Sequence, residues 1–402
     1  MRVALSTWGG RGDVEPLVGL AERLRARGAE VLLCVPRDED LQARAEEAGA
    51  EVVRLGPSGR ELMRRTPPAS IPDTAAAIVR EQVEVLPGLL AGCDVAVATG
   101  ALPAAVGALS VAEAAGVPAV SVTFQQLTIP APHRRPLAYR DHPLPEGETD
   151  PEVLWRLDAE AVDDLFGEAV GAGREALGLP LAHPRDLVVG RRPWLATDPV
   201  LDPWRAAWGI DVLQTGAWAV PDPNPLPEEL LAFLDAGSPP VYVGFGSMPM
   251  LSSPGVAAAA MTAVRAHGRR AIVSRGWAEL DAVAGEADCF VAGELNHQAL
   301  FPRCAAVVHH GGAGTTTTAA RAAVAQVVVP QLADQPWWAA RVAELGVGVA
   351  HDGPTPTAGS LTAALGSALH ARTRARATSL AGAVRSDGVT VAAFELERLA
   401  GR

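Results

Sequence analysis

Two doubly wound parallel-sheet domains of the α/β class are what the sequence predicts, on three observations. Strand-length apolar runs alternate with helix-length runs from the first residue. The alternation stops in a proline-rich stretch near the middle of the chain and then starts again. Of the 402 residues, 49% are hydrophobic but only 4% aromatic, the Ala- and Val-rich balance of strands buried under well-packed helices. At roughly 100–200 residues per domain, this length asks for two cores. Right-handed crossovers turn each β-α-β series into a parallel sheet covered on both faces.

The first half opens with the strand RVALST, the helix VEPLVGLAERLRARG, the strand EVLLCV, the helix DEDLQARAEEAG and the strand EVVRL. DVAVAT, the helical PAAVGALSVAEAAG and the strand PAVSVTF continue it. Residues 125–150 break the rhythm with prolines and mixed charges, over a length that marks a functional or a disordered loop. A helix over about 151–177 and the strand-like PWLATD follow. GAWAVPDPNPLPEELLAFLDAGSPP, Gly216 to Pro240, then reads as a linker ending in a short helix. The second series comprises PVYVGFGS, a helix near 255–267, RRAIVS, DCFVAG, a short helix at NHQALF, AAVVHH, the helix after GGAG, QVVVP, PWWAARVAELG, VGVAH and a helix after Thr362. The expected domains are 1–218 and 219–402, with room for the last helix to pack back on the first, and a cleft between them where ligands commonly bind.

A formal net charge of −12 argues against nucleic acid and anionic membranes, so an anionic ligand needs a local positive site. Cys34, Cys93, Cys289 and Cys304 form no C-x-x-C pair and read as buried free thiols. No apolar stretch of about 18 residues and no secretory leader is seen, so a soluble cytoplasmic protein is expected.

Four motifs carry chemistry, each at the exit of a strand. In HHGGAGTTTT, the glycines at 311, 312 and 314 admit close backbone approach, and the first turn of the next helix offers free N–H groups to an anion. His310 and Thr315 add donors suited to a diphosphate, with Gly312 and Gly314 beside them; a plain glycine-rich turn capped by Thr explains the same residues equally well. His309 and His310 point opposite ways on leaving a strand, which speaks against a shared metal. GFGSMP fails the G-x-S-x-G nucleophile elbow, so Ser247 reads as a phosphate hydroxyl donor or an ordinary turn residue. WGGRGDVEP lacks G-x-G-x-x-G; Arg11 and Asp13 stand at its helix mouth, where Asp13 also fits the helix N-cap, a place that lowers its pKa. In PQLADQPWW, Asp334 and Gln335 suit neighbouring sugar hydroxyls, or simply cap a helix. DED at 38–40 matches a metal-binding D-x-D, but a helix start explains it better.

Taken together and in this order, these motifs resemble the nucleotide-sugar-dependent glycosyltransferases of the GT-B fold, most closely those that decorate glycopeptide antibiotics in actinomycetes. The likeness runs over essentially the whole chain, through MRVALSTWGGRGDVEPLVGLAERL, IPAPH, QTGAW, GSPPVYVGFGSM, SRGW, ELNHQALF, AAVVHHGGAGTTT and ADQPWWAARVAELGVGVAHDGPTPT. It implies that the N-terminal domain takes the acceptor and the C-terminal domain the nucleotide sugar. Asp13 matches the catalytic base, where plant relatives carry His in G-H-x-x-P. His310 matches the phosphate-binding His at the family's usual interval from Asp334, with Ser247 as the phosphate hydroxyl, Arg11 beside the diphosphate, and Asp334 with Gln335 as the donor-sugar pair.

The chain departs from the plant pattern at Thr318, where a ribose-binding Glu is expected, and near Ala292, where a base-stacking Trp is expected. Deoxyribose lacks the 2′-OH that this Glu grips, so the implied donor is a TDP-sugar, with UDP as the other option. Trp277 or the backbone at Gly293 to Leu295 is left to contact the base. His133 and Tyr139, in the 125–150 loop, and the segment around 55–80 are expected to shape acceptor access. The implied enzyme is an inverting glycosyltransferase that needs no metal and works as a monomer or weak dimer. Other acceptors weighed are macrolides and aromatic polyketides; the rival classes are a nucleotide-sugar epimerase or hydrolase and a non-catalytic helper subunit.

Overall fold

The structure, a computed structural model, describes residues 1–65, 69–139, 141–219, 221–246, 255–275 and 287–401. It divides into two compact units: Met1–Thr197 with Trp204–Val220 and Ser386–Arg402, and Asp198–Pro203 with Pro221–Arg385.

Among the described residues the first unit holds seven strands: β1 (Arg2–Trp8), β2 (Glu30–Val35), β3 (Glu51–Arg54), β4 (Val95–Gly100), β5 (Ala119–Thr123), β6 (Trp194–Leu195) and β7 (Leu213–Gln214). They run parallel in the order β3-β2-β1-β4-β5-β6-β7. Both faces are covered, and the two-residue period of a strand sorts the side chains between them. Val3, Leu5, Leu33 and Val97 enter one core with Leu17, Leu20 and Leu24 of the first helix, while Ala4, Leu32, Cys34 and Ala98 enter the other. Each such Leu is worth roughly 1.5–3 kcal/mol over leaving it exposed.

The last helix, Gly388–Leu399, belongs to this unit. Val389, Ala392, Ala393 and Leu396 complete the core around the first helix. Arg27 grips Glu397 through two 2.8 Å bonds and lies 4.1 Å over the Phe394 ring. A Cβ on Gly388 would meet the Ala217 carbonyl oxygen at 2.4 Å, so this helix enters on bare backbone.

The described residues of the second unit form six parallel strands, β8 (Val241–Gly244), β9 (Ala271–Ser274), β10 (Cys289–Ala292), β11 (Ala306–His309), β12 (Ala325–Val328) and β13 (Gly348–Ala350), ordered β10-β9-β8-β11-β12-β13. Val241, Val243, Ala306 and Val308 face one core, Tyr242 and Val307 the other.

Several boundaries differ from the sequence expectation. The first helix spans Arg11–Ala26, starting three residues before the expected Val14. The expected helix after Thr362 spans Ala358–Ala368, because Thr357 and Ser360 form a reciprocal capping box that starts it earlier. The 125–150 loop has little regular structure yet is pinned: Trp155 donates to the Ala131 and Arg134 carbonyls at 2.8 and 3.2 Å, and Arg134 is buried against Gln126.

In each sheet the chain builds outward in one direction and then returns to build in the other. The reversal falls between β1 and β4 in the first unit and between β8 and β11 in the second. Ligands of open parallel sheets bind beyond the strand ends at such reversals.

Candidate active site

At the reversal of the first sheet, Trp8 of β1 pairs with Gly100 of β4, and the chain turns through Gly9 and Gly10 into the helix Arg11–Ala26. The N-cap is Gly10, and Asp13 is the third helical residue, which corrects the expectation that Asp13 is itself the cap. Gly10 has no side chain to cap with, so the acid reaches back instead: Asp13 Oδ2 accepts from the Gly10 N–H at 3.0 Å. The carboxylate also complements the positive end of the helix. Arg11 is 3.2 Å from Glu15 Oε1, one turn along, and is thus engaged within its own helix.

His133 is exposed on the long loop. Tyr139 turns inward and packs edge-to-face on Phe166 at 5.9 Å. Its hydroxyl is held above the usual tyrosine range by burial, with the Arg185 charge opposing. With His142, Asp158 and Asp164 it lines a pocket of about 160 Å³. Asp158 and Arg185 form a buried ion pair of 2.6 Å at one side of it.

At the reversal of the second sheet, His309 of β11 pairs with Gly244 of β8. The adjacent histidines then divide. His309 is fully buried; its Nδ1 accepts from the Gly311 N–H at 3.1 Å, which leaves Nε2 to donate to Gln326 Oε1 at 2.9 Å. Burial, with His310 next door, pushes His309 down to about 3, so it is a neutral strut for the turn. His310 is packed between glycines: a Cβ on Gly246 would stand 3.1 Å from its Cε1, and one on Gly312 would stand 2.7 Å from its Nε2. Its Nδ1 is buried without a hydrogen-bond partner, and burial pushes its pKa down to about 4.

Behind it, Gly312 caps the helix Ala313–Arg321 with no side chain in the way. Thr316 and Thr317 return their hydroxyls to the carbonyls of Gly312 and Ala313, at 2.9 and 2.8 Å. Thr315 stands one position earlier, in the first turn, where the backbone N–H groups lack intrahelical partners. Gly311, at φ +97°, closes against Val328 and Gln335, whereas a Cβ on Gly314 would face open space.

After β12 the loop bends through Ala333 at φ +54° and delivers Asp334 to the head of the helix Gln335–Glu344. Asp334 occupies the cap position but makes no capping bond; its Oδ2 accepts from Trp338 Nε1 at 2.8 Å. Burial pushes its carboxyl up to about 6, against the Trp338 hydrogen bond, and nearby Asp202 adds to the rise. Gln335 is buried, and its Oε1 accepts from the Gln331 and Leu332 N–H groups at 2.7 and 3.2 Å, leaving its amide NH₂ as the donor. The neighbouring Trp337 donates to Asp202 at 2.8 Å, so consecutive indoles hold two carboxylates.

Gly293 is exposed beyond β10, and Leu295 packs against the core beneath. Ser247 and Trp277 lie outside the described residues. Asp38 stands at the N-cap position of the helix Glu39–Glu47 without a side-chain capping bond; its carboxylate accepts instead from Ser58 Oγ at 2.6 Å, so the DED run lies at a helix start. Among the described residues, no group of three or more His, Cys, Asp or Glu is arranged to hold a metal ion, and no helix is long and apolar enough to cross a membrane.

Trp338, Gln326 and Gly246 were missed in the sequence. The i,i+4 spacing of Asp334 and Trp338 is a signal that could have found the first, and Gly246 lies within GFGSMP, though nothing in that motif pairs it with His310; Gln326 comes from the neighbouring strand β12, and no local pattern names it.

Residues 3–128 match the glycosyltransferase family 28 N-terminal domain, and residues 287–390 the erythromycin biosynthesis protein CIII-like C-terminal domain. The chain is 47% identical to the vancomycin aglycone glucosyltransferase of Amycolatopsis orientalis, over 98% of this chain and 96% of that one. It is 46% identical to a dTDP-epi-vancosaminyltransferase of the same organism, over 94% and 93%. Among solved structures, the glycosyltransferase VinC in complex with dTDP superposes with a TM-score of 0.71 at 21% identity, covering all of both chains.

Proposed function

The chain belongs to the nucleotide-sugar-dependent glycosyltransferases of the GT-B fold, and from that premise we propose that it moves a sugar, with inversion, from a TDP-sugar to a hydroxyl of a glycopeptide aglycone. The observation that carries this reading is the amide-rich turn Gly311–Thr315 beside the half-buried His310, at the reversal point of the second sheet.

In this reading Asp13 takes the proton from the acceptor hydroxyl as its oxygen bonds to the anomeric carbon. The bond from that carbon to the diphosphate oxygen breaks on the opposite face, and TDP leaves. A phenolic acceptor, with a pKa near 10, asks less of a carboxylate than an aliphatic alcohol does. Charge gathering on the diphosphate is met by His310, Thr315 and the amides at Gly312 and Gly314, with Ser247 added by the resemblance. These donors supply the countercharge that a cation supplies elsewhere, so activity is expected to survive a chelator. Asp334 and the Gln335 amide take the sugar hydroxyls, and Thr318 in place of a ribose-binding carboxylate favours TDP over UDP.

Purified protein incubated with TDP- and UDP-sugars and a glycopeptide aglycone should yield a product heavier by one sugar, read by mass spectrometry. Glycosylation of a macrolide or aromatic polyketide alone would move the acceptor class, and release of free sugar without any acceptor would make the protein a hydrolase. Asp13→Ala is expected to abolish transfer and leave TDP binding intact; unchanged turnover removes Asp13 from the chemistry.

A further inference from the structure

Gly9 makes no hydrogen-bonding contribution of its own to the site, yet the space above its Cα is taken. A Cβ placed there would lie 2.1 Å from Asp13 Oδ2, 2.6 Å from Asp13 Cγ and 3.1 Å from Asp13 Cβ. The first two distances are below any real carbon contact. The same Oδ2 holds the Gly10 N–H at 3.0 Å, so the carboxyl lies folded back across the strand-to-helix turn, over the bare backbone of Gly9.

Gly9 is not among the residues of positive φ, whereas Gly100 beside the same turn is, at +92°. Backbone conformation therefore does not call for glycine at position 9; the Asp13 carboxyl does. Gly10 and Gly12 make the contrast sharper, since a Cβ at either would meet nothing within 4 Å.

We propose that Gly9 is a positioning residue for Asp13, its missing side chain setting the rotamer in which the carboxyl is held. The proposal deepens the reading of Asp13 as the base and rests on it for its effect on turnover. The atoms in the way belong to the free end of a side chain rather than to backbone, so Gly9→Ala resolves the overlap by swinging Asp13 about χ1. That breaks the bond to Gly10 and leaves the sheet intact. A reacting group moved by about 1 Å costs on the order of 100-fold in rate.

The test is a double-mutant cycle of Gly9→Ala and Asp13→Ala, read in Tm and in affinity for TDP by calorimetry, with kcat measured for Gly9→Ala beside the wild type. Gly9→Ala alone should lower kcat by about 100-fold with TDP affinity unchanged, and lower Tm. With Asp13→Ala in place the same change should leave Tm unchanged, because the carboxyl is gone and only the Cβ at position 13, 3.1 Å away, remains. Wild-type turnover and Tm in Gly9→Ala would overturn the proposal, as would a loss of Tm that persists equally beside Ala at 13. Full turnover in Asp13→Ala would instead sink the assignment of the base, and the Tm cycle would still decide whether Gly9 and Asp13 are coupled.

Discussion

Asp334 and His310 have pKa values displaced by the same cause, burial, to opposite chemical effect. An Asp pushed up to about 6 holds its proton more tightly in the folded chain than in the unfolded one, where about 3.9 is usual. Its folding penalty therefore grows as pH rises from about 4 to about 6 and is constant above. Asp334→Asn keeps an oxygen for Trp338 and sheds that penalty, so we expect it to melt higher than the wild type at pH 7 and equally at pH 4 in paired thermal scans. If the carboxylate takes a sugar hydroxyl, the affinity for TDP-sugar should fall roughly tenfold in this variant. The wild type should lose affinity as pH drops through 6, and TDP without sugar should show no such step. His310, at about 4 when unliganded, is neutral at pH 7, and a bound diphosphate raises it. TDP binding near pH 5.5 should then take up a proton, measurable by calorimetry in buffers of different ionisation heat and absent in His310→Ala. These two residues were singled out in the sequence by their motifs at strand exits, and their roles by the resemblance. Their displaced pKa values were not legible there, because burial is set by tertiary packing, as Gly246 beside His310 and Asp202 near Asp334 show.

At the scale of elements, glycines of one turn do different work. A Cβ on Gly314 faces open space and sits within a helix, so Gly314→Ala should leave Tm unchanged or slightly higher, by helix propensity of about 1 kcal/mol. Diphosphate pressing on that face would make the same change lower TDP affinity. Gly312→Ala instead drives a methyl to 2.7 Å from His310 Nε2 and should weaken TDP binding by roughly tenfold or more, through the displaced ring. Wild-type affinity for TDP in Gly312→Ala would refute this division. Long strands such as β1 and β4 were readable because both faces are buried and the apolar runs are continuous. The two-residue β6 and β7 are too short to show a period, and the pinned loop at 125–150 owes its order to Trp155, which comes from the helix after it.

For the molecule as a whole, the alternation of runs was enough to predict parallel α/β architecture, whereas the order of strands, with its reversal beside β1 and β8, follows from pairings no linear pattern contains. The unit that contains Asp13 is drawn from three separate pieces of chain, and its core closes only with Val389, Ala392, Ala393 and Leu396. Ending the chain at residue 385 should therefore lower the Tm of the first unit and expose dye-binding apolar surface, and a peptide of residues 386–402 added back should reverse both. During synthesis the consequence is one of timing. Nascent chains ordinarily mature from the front, but here the first unit waits on residues 386–402, which are made only after the strands β8 to β13 of the second. A translational pause between residues 385 and 402 would thus prolong the life of an unfinished first unit, with the apolar core around its first helix bare to chaperones.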